Sequence, residues 1–135
     1  MTNWLSAAML SLISFGLWGL FTKLTIAHID SKSALIFQTI GVAIVGIITL
    51  SLMNFKPEMN MKGLSYGLLT GFAYGIGCFF YFLAADKGKL MTVVALTALY
   101  PLITIALSYF LLRENINLKQ CCGIGFALIA IYLMI

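Results

Sequence analysis

The side chains with the means to do chemistry are few, uncharged and set in apolar surroundings. Thr97, Tyr100, Thr104 and Ser108 recur at spacings of three and four in a run with no charge from position 90 to 112, which places them on one face of a helix. Pro101 sits in their midst; it lacks a backbone N–H and so frees the carbonyl of Thr97. In an apolar medium that carbonyl must be met by a side chain, a water or a neighbouring helix. A hydroxyl face around a proline predicts a polar path, although such hydroxyls can also bond back to their own helix. Nearer the N-terminus, Ser11, Ser14, Trp18, Thr22 and Thr25 form a second stripe. Gln38 is the one amide well inside an apolar run, where it needs another helix or water to satisfy it. Tyr74 and Tyr81 share about 100° of helical arc with Thr70, Gly77 and Cys78. Groups of these kinds can hold a solute by hydrogen bonds and flat aromatic contact. The expected substrate contacts are Ser14, Trp18, Gln38, Tyr74, Tyr81, Thr97, Tyr100 and Thr104.

The same inventory argues against catalysis. No Asp or Glu lies inside any apolar run, His28 is the sole histidine and falls in a connector, and the serines have no base nearby in sequence. No catalytic residue is expected and the chain is read as not an enzyme. Cys121 and Cys122 are adjacent and Cys78 lies in an apolar run, so neither a metal-ligand spacing nor a redox pair is formed. These cysteines are read as packing residues, with no metal and no cofactor expected.

The elements that must position these groups follow from composition. Of 135 residues, 62% are hydrophobic and 9% charged, with mean hydropathy +1.07, against about 25% charged in soluble domains. Such a chain cannot cover a water-facing surface and is read as an integral membrane protein. Its net charge of +4 is spread singly or in pairs, which suits anionic lipid rather than nucleic acid. The expected fold is all-α and polytopic, a single domain over 1–135 with five transmembrane helices at about 4–26, 33–54, 62–85, 90–112 and 118–135. Crossing roughly 30 Å of hydrocarbon takes about 20 helical residues, so the fifth helix is the short one. A barrel would instead show strands of about 9–11 residues with alternating pattern. The N-terminal run lacks a basic start and a small-residue cleavage site, and is read as a retained helix rather than a signal peptide. Short charged connectors make consecutive helices antiparallel neighbours and leave no room for a soluble domain between them.

Small residues suggest where helices meet or bend. Gly63, Gly67, Gly71 and Gly75 recur every four residues, a spacing that lets backbones approach closely in membranes. Gly75 and Gly77 weaken the third helix in mid-span, as Pro101 does the fourth, and both are expected bends. Gly123, Gly125, Ala127 and Ala130 give the last helix a packing or dimerisation character.

Basic residues divide evenly across the membrane: Lys56, Lys62, Arg113 and Lys119 on one side, Lys23, Lys32, Lys87 and Lys89 on the other. The positive-inside rule then gives no orientation, which leaves both first-helix control and insertion in two orientations open.

Trp18-Gly19 with Lys23, then Leu99-Tyr100-Pro101-Leu102 followed by Leu112-Arg113-Glu114-Asn115, Gln120 and Gly123, resemble a drug/metabolite transporter domain of the EamA type. The resemblance covers the whole chain as one five-helix repeat and implies the short bacterial or archaeal form, where family members usually hold two repeats. It implies a multi-pass protein of the cytoplasmic membrane that moves a small metabolite. Two departures stand out: Gln38 occupies a place where the family often has arginine, and no span holds the carboxylate that related proteins use for proton coupling. An odd helix number inverts a second copy, and a single repeat can reach that symmetry only with a second chain. The expectation is therefore a transporter or facilitator of a neutral or amphipathic metabolite, acting as an antiparallel homodimer. A chain of opposite charge bias is the competing partner, and a non-transporting membrane subunit that stabilises or regulates a partner is the alternative function.

Overall fold

The computed structural model describes residues 3–113 and 117–133, and among them every regular element is helical. In chain order these are α1 (Trp4–Ile26), α2 (Ser31–Leu52), α3 (Met61–Lys87), α4 (Leu90–Thr97), α5 (Tyr100–Leu107), a π-helical segment (Ser108–Leu112) and α6 (Leu118–Tyr132). Helix starts follow capping groups. Asp30 accepts from the backbone N–H groups of Lys32 and Ser33, each at 3.1 Å, so α2 begins ahead of the charge at Lys32 rather than at 33. The Ser33 hydroxyl and the Ser33 N–H, followed by that of Lys32, hold the Asp30 carboxyl below its ordinary range. Asn60 takes the N–H of Lys62 and of Gly63 in the same way at the start of α3. At α6, the Asn117 side chain accepts from Gln120 N–H at 2.9 Å while Gln120 accepts from Asn117 N–H at 2.8 Å, a reciprocal capping box. Glu114 and Asn115, named above in the family resemblance, lie outside the described residues.

Three helices and the stretch Leu90–Leu112 are long and apolar enough to cross a membrane, with hydropathy between 1.7 and 2.2. The 15 residues of α6 reach about 22 Å at 1.5 Å per residue, short of a full bilayer core. A polytopic membrane protein of four such spans and one shorter apolar helix fits the five-helix reading. The fourth span differs from the continuous helix expected over 90–112: it is interrupted at Ala98–Leu99, and its last turn is π-helical. The break has a local cause. The Pro101 ring would strike the carbonyl four residues back, at Thr97, which is where α4 stops. Pro101 instead falls in the first turn of α5, where an N–H is not needed. By contrast α3 runs without interruption through Gly75 and Gly77.

The chain forms two compact units, Met1–Lys87 and Gly88–Ile135. In the first, buried residues gather at one end: Gly19 and Thr22 late in α1, Ser31 and Ala34 early in α2, and Cys78, Tyr81, Phe82 and Ala85 late in α3. Lys23 Nζ donates to the carbonyl of Ala85 at 2.6 Å, joining the C-terminal ends of α1 and α3. Elsewhere large apolar side chains such as Leu10, Ile47 and Phe72 are exposed. In a bilayer the exposed apolar faces meet hydrocarbon, which is their proper solvent. In the second unit α4, α5, the π-helical segment and α6 follow one another, and Arg113 ends the segment in a left-handed conformation with φ 55°.

Candidate functional site

A groove of about 280 Å³ opens between the three helices of the first unit. From α1 it takes Trp18, Phe21, Thr22 and Thr25, from α2 Ala34, Phe37 and Gln38, and from α3 Phe82. None of these side chains carries a charge, and four are aromatic. The threonine hydroxyls donate to their own helix, Thr22 to Trp18 O at 2.9 Å and Thr25 to Phe21 O at 2.8 Å. Their protons are thereby committed while their oxygens can still accept.

The polar centre is a chain of three side chains from three helices. Trp18 Nε1 donates to Gln38 Oε1 at 2.7 Å. Gln38 Nε2 in turn donates to the Tyr74 hydroxyl at 3.4 Å, a long bond. The Trp18 ring leans on Tyr81, with ring centroids 4.6 Å apart and planes at 40°; such pairs contribute about 0.5–1.5 kcal/mol beyond the area they bury. Gly19 lies beside this contact, and a Cβ there would stand 3.6 Å from the Tyr81 hydroxyl, an ordinary van der Waals distance. With one amide hydrogen weakly used, the groove offers a donor from Gln38 and acceptors from Thr22 and Thr25. That mixture suits a hydroxyl, which is both donor and acceptor, while the aromatic walls suit the C–H faces of a ring.

Of the residues singled out in the sequence, Trp18, Gln38, Tyr74 and Tyr81 come together here. Ser14, one turn before Trp18, is exposed and donates to Leu10 O at 2.8 Å. Thr97, Tyr100 and Thr104 belong to the second unit. Thr97 Oγ1 donates to Val93 O at 2.8 Å and lies 3.1 Å from Val94 O, Thr104 donates to Tyr100 O at 3.4 Å, and Tyr100 is exposed. These threonines are thus bonded to their own helices. Among the described residues of the first unit, a Cβ added at Gly67, Gly71, Gly75 or Gly77 would meet nothing within 4 Å. Sequence reasoning did not name Phe21, Phe37 and Phe82 as site residues. Phe21 follows Trp18 by three positions and Phe37 adjoins Gln38, a spacing signal that marks them only once Trp18 and Gln38 are known to pair. Among the described residues, no group of three or more His, Cys, Asp or Glu could hold a metal ion.

The chain matches the EamA-like transporter family over residues 2–135. An uncharacterized protein of Methanocaldococcus jannaschii is 37% identical over 103 residues, which is 73% of this chain and 75% of that protein. The glucose uptake protein GlcU of Staphylococcus xylosus is 33% identical over 105 residues, 76% of this chain and 35% of that protein. An uncharacterized transporter of Synechocystis is 37% identical over 71 residues, 53% of this chain and 21% of that protein. The chain therefore spans about a third of the length of the glucose uptake protein. No solved structure matches it.

Proposed function

The chain belongs to the EamA-like transporter family, and on that premise we propose that it carries a small, uncharged, hydroxyl-rich metabolite of hexose size across the cytoplasmic membrane. The observation that carries the reading is the groove between α1, α2 and α3, walled by aromatic rings and furnished with neutral donors and acceptors alone. At about 280 Å³ it lies near the roughly 300 Å³ at which small-ligand clefts begin. A charged solute would enter without a countercharge among the lining residues, a heavy desolvation cost. The name of the glucose uptake relative supports a monosaccharide over other neutral solutes. In this reading Trp18 and Gln38 line the substrate site, and Tyr74 and Tyr81, which touch them without lining the groove, hold them in place. The Pro101 break serves as the joint that lets the fourth span change shape.

The working unit in this proposal is a homodimer. The Gly67, Gly71 and Gly75 face, with nothing within 4 Å of an added Cβ among the described residues of the first unit, is the surface on which a second copy could approach closely. The even split of basic residues supports an antiparallel arrangement.

Purified protein in liposomes is expected to take up labelled D-glucose saturably, with competition from unlabelled hexoses and none from hexose phosphates. Uptake no faster than in protein-free liposomes, for glucose and for a panel of other neutral polyols, would refute the proposal.

A further inference from the structure

We propose that Trp18 is a positioning residue that sets the hydrogen-bond polarity of the groove, so that the site recognises an acceptor oxygen on its solute. The inference rests on the transport reading above and specifies its substrate chemistry. A glutamine amide has a donor end and an acceptor end of nearly the same shape, and either could face a given neighbour. Trp18 removes that freedom. Its indole nitrogen can only donate, and at 2.7 Å it meets Gln38 Oε1. The acceptor end of the amide is therefore taken, and the –NH2 end is turned to the Tyr74 hydroxyl, 3.4 Å away. Of its two hydrogens, one points along this long bond and the other is left for a solute.

The indole is itself held. Tyr81 lies against it at 4.6 Å, and Tyr81 is itself buried. Three helices thus fix one amide orientation. Without the indole N–H, the amide could turn over and present its oxygen, and a solute hydroxyl could bind through its proton instead. Trp18 therefore acts on selectivity through Gln38 rather than as a surface that merely fills the groove.

The test uses the full chain in liposomes, with D-glucose and its monodeoxy analogues as probes. Trp18→Phe keeps a ring beside Tyr81 and removes only the N–H. Its KM for glucose should rise about fivefold, the scale of one neutral hydrogen bond, with kcat changed less than about twofold. The deoxy analogue that the wild type discriminates against most strongly should lose most of that disadvantage. An unchanged KM together with unchanged discrimination overturns the inference and leaves the transport reading standing. A wild type that moves no hexose overturns the transport reading instead. The Trp18 indole N–H resonance, recorded in Trp4→Phe protein, then decides the geometry alone. A shift on Gln38→Leu upholds the pairing, and an unmoved resonance overturns it.

Discussion

Replacing Gln38 with leucine should lower kcat/KM for hexose uptake about 30-fold. Leucine fills much of the same space, so the groove keeps its walls and loses its only amide. A bound solute then buries a hydroxyl against an alkyl group where it had met an N–H. A lost neutral hydrogen bond costs about 0.5–1.5 kcal/mol and an unpaired buried polar group about 1–3 kcal/mol. A combined value of about 2 kcal/mol corresponds to a factor near 30. The indole N–H of Trp18, which now donates to Gln38 at 2.7 Å, also loses its acceptor, so the variant should melt somewhat earlier than the wild type. Initial uptake rates, normalised to correctly inserted protein, provide the check. A Gln38→Leu protein within threefold of wild type would remove Gln38 from the site.

Lys23→Met should have the largest effect on stability. Lys23 Nζ donates to Ala85 O at 2.6 Å, and Ala85 is fully buried. Ala85 stands in the last turn of α3, which ends at Lys87, where backbone carbonyls have no partner within the helix. An ammonium at that end also complements the negative pole of the helix. Methionine preserves the length of the side chain and removes the donor. Breaking a hydrogen bond to a charged group costs about 1.5–3 kcal/mol, which for a chain of this size lowers the melting temperature by about 5–10 °C. Detergent-solubilised variants compared by thermal unfolding would show it, and Lys23→Arg should recover part of the loss. A Lys23→Met protein that melts with the wild type would mean that water serves the Ala85 carbonyl equally well.

Membrane class and the succession of apolar helical stretches were legible in the sequence because both depend on how apolar residues and charges are distributed along the chain. Span ends were less so. Expected bounds of 33 for the second helix and 85 for the third leave out Lys32 and Lys87, yet both lie inside helical turns. Asp30 and Asn60 set the starts of α2 and α3 by accepting backbone N–H groups. The Asn117–Gln120 capping box was open to view as an N-cap amide followed three residues later by glutamine.

Within the site, Trp18, Gln38, Tyr74 and Tyr81 each stood out as polar or aromatic residues in apolar helices. Their pairing did not. Gln38 follows Trp18 by 20 positions and precedes Tyr74 by 36, so contact depends on how each helix is rotated about its axis. A helix apolar on every side carries little pattern from which that rotation can be read. For a related reason, spacing does not tell what the hydroxyls of the fourth span bond to. Thr97 and Thr104 could always bond to their own helix, a local choice that leaves no mark in the spacing. The bond from Lys23 to Ala85 is not legible in either its charge or its place after Trp18-Gly19, because it requires α1 and α3 to end side by side.

The claim that a neutral hydroxyl-bearing solute binds beside Trp18 is tested most directly by fluorescence. The chain has two tryptophans, so Trp4→Phe leaves Trp18 as the single emitter, set in the groove against Tyr81. Titration with D-glucose should change its emission saturably, and glucose 6-phosphate at the same concentrations should leave it unchanged. A flat response to glucose and to other neutral polyols in protein that remains folded would contradict the account.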